Sequence, residues 1–412
     1  MTIVLAKLGS PEQVGQFALG LAIAAPVFMF ATLRLRDVQA TDAKQEYQFG
    51  DYFALRLTTT VIAFVVVAFI AFLSGYHMQM ILIILATAAS KSAEAVSDAL
   101  YGLFMQHERL DRIAKSMIMK GPLQLAGLGF VFYFTGSIFW AVIAISLARL
   151  SILLTYDLRN AIKSLNPGFS PSGLLPKNMP RPRWNAATMK KLVMLTLPLG
   201  VVTMLISFNT NIPRYFIDGY LGAYALGIFA AIASFQKVAP TVVQALGRSA
   251  SPRLAKYYGA GNVKAFRRLT LQLIGIGGLL AGGGVTVALL FGRQILILFY
   301  GPEYAMPGLF ALLMLAAGID YIATMFLFVI TSARYFRIQL PLHLLTASTV
   351  ALAGFLLIPS FGLKGAALSL IVGNLVRASG GMTIAWHAHR ALHRQVKESK
   401  VQATMETSIN QI

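Results

Sequence analysis

Apolar residues in this chain come in uninterrupted runs of about 20, the length an α-helix needs to cross a hydrocarbon core of about 30 Å. Eleven such runs can be read, over roughly 14–33, 55–75, 78–105, 117–134, 137–157, 191–211, 222–245, 270–292, 307–331, 338–358 and 363–387. Composition agrees: 12% of the 412 residues are charged, half of the roughly 25% usual in soluble domains, and the mean hydropathy is +0.68. Alternating strands of about ten residues, the mark of a membrane barrel, are not seen. The expected fold class is therefore all-α, a polytopic membrane helix bundle. With no cysteine, the chain has no disulfide, thiolate metal site, haem attachment or cysteine nucleophile.

Thirty-five Lys and Arg against 15 Asp and Glu give a net charge of +20. In a membrane chain such an excess is first a topology signal. One set of alternate loops, with the C-terminal tail, holds 26 cations, among them Arg36, Arg56, Arg109, Arg112, Arg248, Arg253, Arg267 and Arg268; the opposite loops hold Lys7, Arg214, Arg293 and Lys364. The rich side is read as cytoplasmic, together with the C-terminus, and no nucleic acid is needed as partner. Eleven spans then put Met1 outside. Residues 1–5 are expected to be the end of a first helix that is otherwise missing, followed by a turn over Ala6 to Glu12.

The chain repeats itself weakly. Val14-Gly15-Gln16-Phe17-Ala18 parallels Leu226-Gly227-Ile228-Phe229-Ala230, and Phe53 and Phe266 follow at similar distances. Two like-oriented, pseudo-repeated six-helix lobes are expected, 1–157 and 191–388, with a binding cavity between them. The basic segment 158–190 would join them, kept from forming one helix by Pro167, Pro171, Pro176, Pro180 and Pro182, and 389–412 would be a cytoplasmic tail.

An ordered series of motifs runs from Lys7 to about Trp386. It comprises Gly15-Gln16-Phe17 with Pro26; Leu35-Arg36 and Asp42; Glu94, Ser97-Asp98, Tyr101-Gly102 and Gln106; Asn211-Ile212-Pro213-Arg214-Tyr215; Leu226 to Ala230; Ser251-Pro252-Arg253-Leu254; and Gly365-Ala366-Ala367. Together they resemble the polysaccharide-exporter branch, the O-antigen-type flippases, of the multidrug/oligosaccharidyl-lipid/polysaccharide transporter superfamily. The resemblance implies twelve helices in two lobes, an apparently lacking first helix, and translocation of undecaprenyl-diphosphate-linked oligosaccharide across the bacterial inner membrane for lipopolysaccharide or other surface polysaccharide. It implies as partners the lipid-linked oligosaccharide, membrane lipids, a polysaccharide polymerase and a chain-length regulator, and no cofactor. For Arg214, on the outer side of its span, it favours a gating or structural role, and Gln106 is grouped with it.

Independently of resemblance, the spans contain Lys91, Lys120, Arg149, Lys237 and Arg377 with the acids Glu94, Asp98 and Asp320. Each charge costs about 2.5 to 3.5 kcal/mol at a helix centre, so most should line something wet or pair internally. Arg149, Lys237 and Arg377 fall at similar depth and, with Lys91, suit a polyanionic head group; each can also be an interhelical tie or snorkel to the interface. Lys91, Glu94 and Asp98 share one helix face. Glu94 and Asp98 can hold a coupling ion, or Lys91 can neutralise Glu94 while Asp98 meets a neighbouring helix. Asp320 is either a coupling site or a structural acid.

Catalysis lacks support: no Gly-rich Walker loop is present, and the histidines lack carboxylates at ligand spacing, so neither ATP hydrolysis nor a metal site is expected. The expected function is a flippase working by alternating access, not an enzyme. The alternatives are a cation-coupled multidrug antiporter of the same fold and a non-transporting scaffold for polysaccharide assembly.

Overall fold

The computed structural model describes residues 1–42, 46–165, 181–237 and 239–409, with side chains to residue 394. Lys44 and most of the expected linker lie outside the described residues. Those described form helices and no strand: α1 Thr2–Leu8, α2 Pro11–Thr32, α3 Leu35–Thr41, α4 Phe49–Leu73, α5 Met78–Gln106, α6 Leu110–Thr135, α7 Ile138–Ile152, α8 Leu158–Leu165, α9 Ala186–Ala233, α10 Ala239–Gly259, α11 Val263–Phe299, α12 Pro307–Ser332 and α13 Gln339–Ile409. A π-helical turn, Leu153–Asp157, links α7 to α8, and a 3-10 turn, Ser234–Lys237, leads to α10.

Nine helical stretches among these residues are long and apolar enough to cross a membrane. Two of them are broken. As one rod, the 48 residues of α9 would extend about 72 Å, more than twice a hydrocarbon core, and Gly222 interrupts it with φ 80° and ψ 176°. Gly362 interrupts α13 with φ 58° and ψ −136°. Beyond it the chain turns back: Gly365 lies against Leu357 and Ile358, Gly373 against Val350 and Thr346, and Gly380 against Leu342. The two halves of α13 are thus an antiparallel hairpin. Divided at these two glycines, the nine stretches become eleven segments.

The segment starts differ from the sequence reading in an instructive way. Helices α4 and α6 begin six or seven residues earlier than their apolar runs, because Asp51 and Arg56, or Asp111, Arg112 and Lys115, occupy their first turns. Arg56, assigned from sequence to a cytoplasmic loop, is instead fully buried within α4. Lys120, expected beside an inner span end, is ten residues into α6.

The chain divides into two compact units, Met1–Ile228 and Phe229–Ile412. The first includes part of α9, beyond the expected linker, because α9 lies along α2: Thr203 donates to the Met29 carbonyl at 3.1 Å, and Tyr215 Oη donates to that of Ala22. Helix α2 starts sharply. Ser10 Oγ accepts from Gln13 N, Gln13 Oε1 accepts from Ser10 N, and Pro11 supplies the first helical residue without an orphan N–H. In the second unit, Phe266 of α11, Tyr321 and Met325 of α12, and Ala385 and Leu392 of α13 share one buried core with Val243 and Leu254 of α10.

Candidate functional site

Helix α5 is the spine of the first unit, packed on α2, α3, α4 and α7. Its residues 91, 94, 98 and 101 follow the three-and-four spacing that places side chains on one face, and three ion-pair clusters are built on it. In the first, Glu94 Oε2 accepts from Lys91 Nζ at 2.9 Å and from Arg149 Nη1 of α7 at 2.7 Å. Arg149 also donates to the Ser90 carbonyl at 3.2 Å and to Gln124 Oε1 of α6 at 3.1 Å.

The second cluster is closed. Lys120 Nζ donates to Asp157 Oδ2 at 2.6 Å, to Ser97 Oγ at 2.7 Å and to Tyr101 Oη at 2.8 Å. Asp157 has no exposed surface. It reaches this position because the π-helical turn, a one-residue widening of the helix, carries it.

In the third cluster, Asp98 is shared by Arg36 of α3 at 3.1 Å and Arg56 of α4 at 2.8 Å. Arg56 is buried, and its Nε and Nη1 have no hydrogen-bond partner.

Three carboxylates therefore face five cations, an excess of two positive charges within membrane helices. The clusters differ in access. Arg56 and Asp157 are sealed, whereas the Glu94 side chain is 50% exposed, between partners exposed by 21% and 17%. The Lys91–Glu94–Arg149 cluster is thus the accessible, net-positive group. Glu94 and Asp98, expected as candidates for one ion site, answer to different cations.

On the outer side, Arg214 donates from Nη1 to Asn211 Oδ1 at 3.0 Å, while its buried Nε has no partner. Nearby in sequence, Asp218 accepts from Tyr76 Oη at 2.7 Å; burial, then that bond, push the Tyr76 phenol above its ordinary range. Gln106 is the last residue of α5 and half-buried.

In the second unit Arg377 of α13 is buried, pairs with Asp320 of α12 and donates to Thr324 Oγ1 at 3.3 Å. Asn374, one turn earlier, donates to the Ala316 carbonyl at 2.9 Å. Asp320, which stood alone in the sequence, is thereby half of a neutral pair. Lys237 lies exposed in the 3-10 turn. Of the expected cations, the structure joins Lys91 and Arg149 through Glu94; Lys237 and Arg377 fall in the other unit.

Sequence reading missed Arg36, Arg56 and Asp157 as parts of this charged system. The signal for Arg56 was its place one residue inside an apolar run. Asp157 had none, since a π-helical turn is invisible to periodicity. The glycines at 275, 277, 278, 282, 283 and 284, expected to permit close helix packing, do so at Gly277, which faces Ile322 and Met325 of α12; Gly275, Gly278, Gly282 and Gly283 have nothing within 4 Å of a built β-carbon.

Comparison with known proteins places the fold. Residues 1–258 match the family described as Polysaccharide biosynthesis protein, and residues 198–339 match the MatE family. The chain is 27% identical over 381 residues to the capsular polysaccharide biosynthesis protein CapF of Staphylococcus aureus, covering 91% of each. A multidrug resistance MATE family transporter of the MOP superfamily, solved in an inward-facing conformation, superposes with a TM-score of 0.75 at 15% identity over 95% of this chain and 94% of that one. A MOP superfamily transporter from Pyrococcus furiosus, described as having a binding pocket of reverse polarity, gives 0.59 at 14% identity over 95% and 91%.

Proposed function

The chain belongs to the polysaccharide biosynthesis protein family, in the polysaccharide-exporter branch of the multidrug/oligosaccharidyl-lipid/polysaccharide superfamily, and on that premise we propose that it flips a lipid-linked, diphosphate-bearing oligosaccharide across the bacterial inner membrane. It is a multi-pass membrane protein of a transporter fold, not an enzyme. The observation that carries the proposal is the accessible Lys91–Glu94–Arg149 group with its surplus positive charge. Arg149 offers a planar fork suited to phosphate oxygens, and Lys91 adds a point charge. Glu94 holds both side chains in place between transport events and yields them to the diphosphate.

The two lobes alternate access to the two leaflets, with Arg377 and Lys237 contributing from the second. Sugars pass among polar side chains while the prenyl tail stays in lipid. Direction has a physical source: with the inside negative, each uncompensated negative charge moved outward gains about 2.3 kcal/mol per 100 mV. The C-terminus is cytoplasmic, as the basic loops require. The capsular relative makes capsule as apt a destination as lipopolysaccharide O-antigen, where a polymerase and chain-length regulator would take over the flipped unit.

The match to MatE over 198–339 favours one second reading, a cation-coupled multidrug antiporter. Five cations against three carboxylates in the first unit oppose cationic drugs as cargo. Reconstitution in liposomes with a labelled undecaprenyl-diphosphate glycan and an imposed potential tests the proposal. Glycan transfer that Arg149→Ala abolishes supports it. Efflux of an organic cation with no glycan transfer points to the antiporter, and neither activity to a scaffold.

A further inference from the structure

The second unit has a charge imbalance that cargo binding does not use. No Asp or Glu occurs between Asp218 and Glu303, and between Glu303 and Glu398 there is only Asp320, which Arg377 occupies. The cations in these stretches gather where α10 ends and α11 begins. Lys264, Arg267 and Arg268 project from the first two turns of α11, exposed, and with Leu271 and Gln272 line a shallow recess. Spacings of three and four place Lys264, Arg268 and Leu271 on one side of the helix.

A second bank of positive charge comes from α13. Phe266 and Leu392 share a core, which brings the two helices together, and Arg267 is close enough to His389 for their charges to interact. Arg390 stacks on the exposed Trp386 ring at 3.5 Å, a pairing of aromatic and cation suited to a membrane interface.

The next turns of α11 say what sort of anion fits. Gly275, Gly278 and Gly282 continue the side that carries Lys264 and Arg268, with no atom within 4 Å of their β-carbon positions. Leu271 and Leu279 flank them, 56% and 77% exposed. A charged end that runs directly into a smooth apolar one complements an amphiphile, and a soluble anion would leave the apolar part unused.

We propose that Lys264, Arg267 and Arg268, backed by the α13 cations, bind the phosphodiester head group of an anionic phospholipid from the surrounding bilayer, with an acyl chain lying along α11. Clustered basic residues at the membrane surface attract anionic lipid additively. The site is independent of what the protein carries.

The test uses the full-length protein in a neutral detergent, titrated with phosphatidylglycerol or phosphatidylcholine and read by native mass spectrometry. Replacing Lys264, Arg267 and Arg268 together with Gln is expected to weaken phosphatidylglycerol about a hundredfold, three charges acting additively, without changing phosphatidylcholine. The charge-preserving pair Arg267→Lys and Arg268→Lys should keep most of the binding. In the unaltered protein, phosphatidylglycerol should slow hydrogen exchange over residues 263–272, a readout that needs no variant. Equal phosphatidylglycerol binding by the Gln variant, equal binding of phosphatidylcholine by the unaltered protein, full displacement by millimolar inorganic phosphate, or unchanged exchange would each overturn the proposal.

Discussion

Gly15 of α2 and Gly227 of α9 lie backbone to backbone, each standing where the other's side chain would begin. A β-carbon on Gly15 would be 3.0 Å from the Gly227 nitrogen, and one on Gly227 would be 2.9 Å from the Gly15 nitrogen. Further atoms overlap outright: the Ala223 carbonyl for Gly15 and the Pro11 carbonyl for Gly227. The weak internal repeat equates these two positions, so the contact is reciprocal in sequence as well as in space.

Gly15→Ala should therefore destabilise the protein by about 1 to 3 kcal/mol, the usual cost of overpacking. Gly278→Ala, on an open face of α11, should be neutral or stabilising by up to about 1 kcal/mol from helix propensity. Melting of both variants in detergent checks this, and equal melting temperatures would contradict the close contact.

The buried Lys120–Asp157 pair makes a second expectation. Lys120→Met leaves a sealed carboxylate without its cation and should cost about 3 to 5 kcal/mol, most of it recovered by adding Asp157→Leu. Additive losses in the double variant would show that the two side chains do not interact.

Transport separates charge from shape at Arg149. Arg149→Ala should abolish glycan export in cells with membrane insertion intact, and Arg149→Lys should retain part of it, since charge survives while the bidentate fork is lost. Export by Arg149→Ala at the unaltered rate would remove this residue from the binding group.

Asp98→Asn tests the ion-coupling role against the structural one. Because Arg36 and Arg56 both depend on Asp98, the Asn variant should lose stability by about 3 kcal/mol or more and keep its response to a pH or sodium gradient in liposomes. Loss of the gradient response at unchanged stability would restore Asp98 as a coupling site.

Helix number, class and the weak repeat were legible because hydrocarbon thickness imposes a length on every span. The quoted motif residues were legible too, and the structure gives several of them contacts with one another: Arg36 with Asp98, Asn211 with Arg214, Gly15 with Gly227. What hydropathy could not supply was pairing. Arg56 and Asp320 look alike as isolated charges in apolar sequence, yet one shares a carboxylate with a second arginine and the other neutralises one. The break at Gly362 was legible only as a gap between two runs, and the hairpin packing that follows it depends on Gly365, Gly373 and Gly380 meeting the returning strand of the chain.

The π-helical turn over Leu153–Asp157 makes spacing itself a functional variable. Such a turn holds one residue more than the α-helix it interrupts, so removing a single residue there would let the helix close and rotate everything beyond it by about 100°. Asp157 would swing away from Lys120, and Asn160, whose carbonyl accepts from Arg112, would turn with it. A one-residue deletion in this segment, harmless to hydropathy and to membrane insertion, would thus undo two inter-helix ties at once, whereas a substitution at either tie alters one.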